Sequence, residues 1–182
     1  SRSFGNKKTW DTPFLELFER AIQEANSAVF NNNRLNKAIN YSILDIPLPN
    51  NGIDLVYLDP PYISEKGVGV DYQGNYHFLE GISNYFEWEQ LIDYNSRHKR
   101  LKVDSDRWID PKKFLDVFEE TLNKFKDSII VLSYRSPGIP SIVELKGILN
   151  SYFDKVLVHK KDYKYALTSK QKRVNEVLFV CE

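Results

Sequence analysis

At 182 residues, with 25 basic side chains against 25 acidic ones, the chain is long enough for one cored domain and too short for two, and its zero net charge excludes bulk attraction to nucleic acid. A single cysteine, Cys181, excludes an internal disulfide, and no apolar run approaches the roughly 20 residues of a membrane span or the pattern of a signal peptide. Composition points to one cytoplasmic domain over residues 1–182, unusual only in an aromatic content of 14%, which either covers a sheet or supplies stacking platforms for bases.

After ten polar residues, Pro13 reads as a helix start, and Phe14, Leu17, Phe18, Ala21, Ile22 and Ala25 make one apolar stripe through about Phe30, where an Asn-Asn-Asn run ends it. Ala38 to Ile43 reads as a short strand, followed by a Pro/Asn/Gly turn. Ile53 to Leu58 is the first buried strand and runs into Asp59-Pro60-Pro61-Tyr62. Helical patterns follow over 76–94, then an exposed basic connection over 97–107. Pro111 opens an amphipathic helix, Ser128 to Ser133 is a second buried strand, and a turn at Tyr134-Arg135-Ser136-Pro137-Gly138 closes it. A helix over 142–152 and strands over 155–159 and 174–180, joined as a long hairpin, complete the chain.

Alternating strands and helices predict an α/β fold with a mostly parallel sheet, helices on both faces and an antiparallel C-terminal hairpin. In such sheets ligands bind beyond the carboxyl ends of the strands, and both unusual turns fall there. The first is the more telling. Two prolines hold the backbone extended and give up two amide donors. What is left at the strand end is acceptor-rich: the Asp59 carboxylate and the carbonyls around Pro60, with the flat face of Tyr62 beside them. Such a corner suits a planar ligand that donates from an exocyclic amine, as a nucleobase does. Tyr134 reads equally as a core residue or as a wall of the base pocket. His77 and Glu80 read as a structural pair, and His77, His98 and His159 lack metal-ligand spacing, so no metal is expected.

Leu58-Asp59-Pro60-Pro61-Tyr62 resembles motif IV of the amino-methyltransferases. With Tyr76 to Glu80, Ser133 to Ser136 and Asn175 to Leu178, the stretch from Ala38 to Glu182 resembles the C-terminal portion of adenine-specific DNA methyltransferases of the Dam-related type II class. The resemblance implies a partial Rossmann-like fold and methyl transfer from S-adenosylmethionine to the adenine amine of double-stranded DNA. It assigns catalysis to Asp59, Pro60, Pro61 and Tyr62. It places the extruded base against Tyr62 and Tyr134, because a paired amine is out of reach in the duplex. Asp59, Ser42 and Asp45 are the cofactor-side candidates.

Two segments carry local positive charge: 97–113 holds seven Lys/Arg against three Asp, and 154–173 holds seven against two. Arg97, Lys99, Arg100, Lys164, Lys172 and Arg173 are the candidate phosphate contacts. Against the family's pattern, the chain has no Phe-x-Gly-x-Gly turn after a first strand and no acid after a second. The expectation is therefore a catalytic half without the cofactor-holding half: a truncated chain, one subunit of a split enzyme needing a complementary N-terminal chain or a second copy, or a remnant. It predicts weak or absent cofactor binding by this chain alone. The competing readings are a non-catalytic DNA-binding module and a methyltransferase acting on RNA or a protein amide.

Overall fold

A computed structural model describes residues 11–102, 106–163 and 174–182. The chain forms two compact units, residues 1–40 and 41–182. In the first, helix α1 (Phe14–Ala28) follows Pro13, whose carbonyl accepts from Leu17 N–H. Phe14 and Phe18 stack one turn apart on its exposed apolar stripe. Asparagines cap off the region beyond it: Asn31 and Asn32 side chains accept from backbone amides two residues on, the local turn that competes with helix.

The second unit holds a four-stranded sheet. Its elements are a 3-10 turn (Ile43–Asp45), β1 (Leu55–Leu58), short helices α2 (Tyr72–Asn75), α3 (His77–Ser83) and α4 (Trp88–Leu91), a second 3-10 turn (Arg107–Ile109), α5 (Phe114–Lys124), β2 (Ile129–Ser136), α6 (Ile142–Tyr152), β3 (Val156–Tyr163) and β4 (Val174–Cys181). Strand order is β1-β2-β4-β3. The short strand expected over 38–43 does not form; Ile43 instead starts the 3-10 turn. The helical pattern over 76–94 is real but broken into short pieces.

The mostly parallel sheet expected from the alternating pattern is corrected. Only β1 and β2 pair in parallel, whereas β2 with β4 and β4 with β3 are antiparallel. The expected antiparallel pairing of β3 with β4 forms, and β4 pairs with β2 along its other edge, so that it lies between them. Register places Val56 and Leu58 beside Ile130 and Leu132, and these beside Cys181 and Phe179, on one face. Phe114, Phe118 and Leu122 of α5 and Leu145 and Leu149 of α6 are buried in the same cluster. The opposite face leaves Leu55 and Tyr57 more than half exposed, at 52% and 58%.

Local chemistry sets the helix ends. Ser141 and Glu144 form a capping box at the start of α6, each side chain bonding the other's backbone N–H. Hydrogen bonding from the Ser141 hydroxyl, and from its backbone N–H, holds the Glu144 carboxyl below the usual carboxylate range. Cys181 is buried beside Ile130, and burial pushes its thiol up to about 11, so it behaves as a small core residue.

Candidate active site

Register decides what meets at the strand ends. Leu58 is level with Leu132, so the chain leaves β1 at Asp59 while β2 continues through Ser133 to Ser136. Asp59 is exposed where the ladder stops, and Pro60 and Pro61 keep the backbone from turning back onto β2. The half-buried Tyr62 phenol returns to Asp59, donating to its Oδ1 at 3.1 Å. The Ser133 hydroxyl lies 3.3 Å from the same phenol oxygen. With the phenol proton committed to the carboxylate, Ser133 is the donor in that contact.

The second strand-end turn locks onto the first. Ile63 is buried, and its carbonyl accepts from Ile139 N–H at 3.0 Å. Gly138 sits at this junction. A Cβ there would lie 2.9 Å from the Arg135 carbonyl and 3.0 Å from the Ile63 carbonyl, so only glycine lets the two turns approach. Tyr134, 1% exposed, is a core residue whose hydroxyl donates to the Pro140 carbonyl at 2.7 Å. Its ring meets Tyr62 edge to face at 6.1 Å. Tyr134 thus backs Tyr62, while neither ring is among the walls of the cavity at Asp59.

That cavity, of about 440 Å³, is walled by Asp59, Pro60 and Pro61 on one side. Tyr41, Ser42, Tyr57, Asp106 and Trp108 contribute the rest of its polar and aromatic lining. Tyr57 shares a strand face with Asp59, two residues apart, a period-two relation that the sequence does carry. Asp106 and Trp108 arrive from nearly 50 residues on and give no sequence signal at all. They are placed by Arg107, which pairs with Glu120 of α5 through both nitrogens at 2.6 and 3.1 Å. That guanidinium holds the Glu120 carboxyl below its usual range. Asp106 in turn accepts from Trp108 N–H, and the Trp108 ring meets Phe114 edge to face. A second cavity, of about 360 Å³, shares Pro61 and Asp106 with the first and extends to Val70, Tyr72 and Gln73.

Two curated proteins are similar to this chain. Type II methyltransferase M2.HphI of Haemophilus parahaemolyticus is 28% identical over 184 residues, covering 98% of this chain and 49% of its own length. Modification methylase StsI of Streptococcus sanguinis is 29% identical over 189 residues, covering 94% of this chain and 25% of its own length. The chain resembles type II methyltransferases. It spans about half the length of the first relative and a quarter of the second. No family model matches it. No solved structure matches it either.

The remaining candidates scatter. Ser42 lies on the wall of the larger cavity, whereas Asp45 is exposed in the 3-10 turn and is not part of that wall. Arg97, Lys99 and Arg100 are exposed on a tight loop closed by the bridge between Ile92 and Leu101. Arg100 reaches Asp71 and Asp93 at 3.9 and 4.0 Å, and Lys99 donates to the Tyr94 carbonyl while lying over its ring. Lys164, Lys172 and Arg173 lie outside the described residues. His77 contacts the Gly74 carbonyl through Nδ1. Among the described residues no group of three His, Cys, Asp or Glu side chains could hold a metal ion. Among them, too, no helix is long and apolar enough to cross a membrane.

Burial pushes the Tyr62 phenol up to about 12; the Ser133 hydrogen bond opposes the shift and the Asp59 charge adds to it. The folded state therefore favours the neutral phenol. The stability this contributes is complete below the ordinary tyrosine value of 10.0 and is lost as pH rises from there towards 12. Alkaline titration of phenolate absorbance is expected to show one more late-ionising tyrosine in the wild type than in Tyr62→Phe. The variant should also lose less stability across that window. A Tyr62 phenol ionising near its ordinary value would contradict the buried hydrogen-bonded geometry.

Proposed function

We propose that the chain is the catalytic part of an S-adenosylmethionine-dependent DNA methyltransferase that modifies the exocyclic amine of adenine. The observation that carries this reading is the exposed Asp59 carboxylate at the end of β1, held by Tyr62 on the wall of a cavity. The similarity to a type II methyltransferase and a modification methylase supports the reaction class.

The walls of the larger cavity suit the cofactor's nucleoside and cationic parts: Tyr41, Tyr57 and Trp108 offer faces to an adenine ring, and Asp59 and Asp106 offer carboxylates to a sulfonium. Its volume is in the range of small-molecule sites, roughly 300–1,000 Å³. When bound, S-adenosylmethionine would supply an electrophilic methyl group. Everything else falls to the chain. Asp59 accepts a hydrogen bond from the target amine and leaves its lone pair aimed away from the carboxylate. The Pro60 carbonyl is a second acceptor, and the proline nitrogens present no competing donor. Tyr62, kept neutral, offers its ring to an extruded base whose amine meets Asp59. Positioning and electrostatics would carry the catalysis, with the proton of the alkylated amine released to water beside the exposed Asp59 carboxylate. Exposed Arg97 and Lys99 would be candidate phosphate contacts. A complementary cofactor-binding chain, or a second copy, would act in the cytoplasm with this one on double-stranded DNA.

The test supplies radiolabelled S-adenosylmethionine with duplex DNA, single-stranded DNA, RNA and a peptide amide in parallel. The chain is assayed alone and with a second chain carrying the glycine-rich cofactor turn. Methylated adenine from the duplex is the expected product, formed only in the two-chain reaction. A methylated cytosine, RNA or peptide would change the substrate assignment. Salt-dependent DNA binding with no transfer to any acceptor would replace the enzyme with a binding module.

A further inference from the structure

We propose that Lys124 is a positioning residue for the cofactor, acting through the turn that walls the larger cavity; this rests on the methyltransferase reading above. Lys124 ends α5, 80 residues along the chain from Leu44. An ammonium has three protons, and each one here has its own carbonyl. Nζ donates to Ile43 at 3.1 Å, to Leu44 at 2.5 Å and to Ile46 at 2.6 Å. Three carbonyls converging on one cation bend the backbone around it.

The turn has little of its own to hold that shape. Among its backbone bonds is Asp45 N–H to the Ser42 carbonyl at 2.9 Å, and no side chain caps its start. Three-residue 3-10 turns are weak by themselves, with poor hydrogen-bond geometry. Charge-assisted bonds are roughly twice as strong as neutral ones. The Lys124 head, which also lies over the Phe125 ring, is thus the element that fixes where Ser42 and Ile43 stand. Both belong to the cavity wall. Asp59 and Tyr62 are held instead by the ends of β1 and β2. Loss of the ammonium should therefore loosen what the wall binds and spare the chemistry at the corner.

Lys124→Met tests this, because it keeps the unbranched stem and removes only the cation. In hydrogen-exchange mass spectrometry of the full chain, the hydrogen-bonded Asp45 amide should exchange about tenfold faster, with β1 and β2 unchanged. In the two-chain methylation assay, KM for S-adenosylmethionine should rise about tenfold, or 1.4 kcal/mol, with kcat within about twofold. Lys124→Arg keeps the charge on a planar fork that cannot converge on all three carbonyls, so it should recover part of both effects. Wild-type exchange or a wild-type KM in Lys124→Met would overturn the inference, as would a fall in kcat at constant KM or faster exchange throughout the core. A wild-type chain that binds no S-adenosylmethionine even with its complement would overturn the function and the cofactor role together. A wild-type KM in the variant would overturn this inference alone.

Discussion

Replacing Asp59 by alanine is expected to lower kcat for methyl transfer by roughly 10²–10³, the usual cost of losing one preorganised polar contact in a transition state. Folding should be nearly untouched, because the carboxylate is exposed and the Tyr62 phenol that it accepts from keeps Ser133 as a neighbour. Surface changes of this kind move stability by roughly 0.5 kcal/mol or less. The two readouts together make the result specific to chemistry. Asp59→Asn keeps a carbonyl acceptor but loses the charge, so it should fall between the wild type and alanine. Single-turnover transfer with saturating DNA, alongside a thermal melt of each variant, checks the ordering. Full activity in Asp59→Ala would remove the catalytic assignment.

Phe118→Ala should cost about 3–5 kcal/mol of stability, the range for deleting a fully buried aromatic. Phe118 is 0% exposed and stacks on Phe114 with ring centroids 5.7 Å apart. It anchors the middle of α5 in the cluster that also contains Leu132 and Phe179. Few contacts can re-form around the void, since α6 already fills the adjoining space with Leu145 and Leu149. The effect reaches the site, because α5 carries Glu120, which places Trp108 through Arg107, and Lys124, which shapes the turn at Ser42. Urea unfolding followed by circular dichroism measures the loss. A change below about 1 kcal/mol would mean that α5 does not pack on the sheet as described.

Much of this architecture was legible in the chain. The strand before Asp59 could be read because Leu-Val-Tyr-Leu is rich in strand formers and two prolines stop it. The helix over 142–152 forms over the expected residues, and the structure adds the Ser141–Glu144 capping box that opens it. The link between Tyr62 and Asp59 joins residues three apart, so the motif brings most of its own geometry. Sheet order was not legible. β4 pairs as readily beside β2 as beside β3 in a hydrophobic pattern, since every strand offers the same backbone donors and acceptors and alternation records only which face is buried.

The sequence by itself therefore determined most of the elements and the corner at Asp59: a strand, its proline stop, a carboxylate and a phenol in local reach of one another. Only the tertiary structure decided what surrounds that corner. Ser133, Asp106 and Trp108 reach it from other segments, Lys124 holds the turn beside it, and Tyr134 turns out to back Tyr62 from the core. The physical reason is range. Backbone stiffness and short side-chain bonds act over a few residues and are written in the local order of the chain, whereas packing joins segments dozens of residues apart through burial that carries no address.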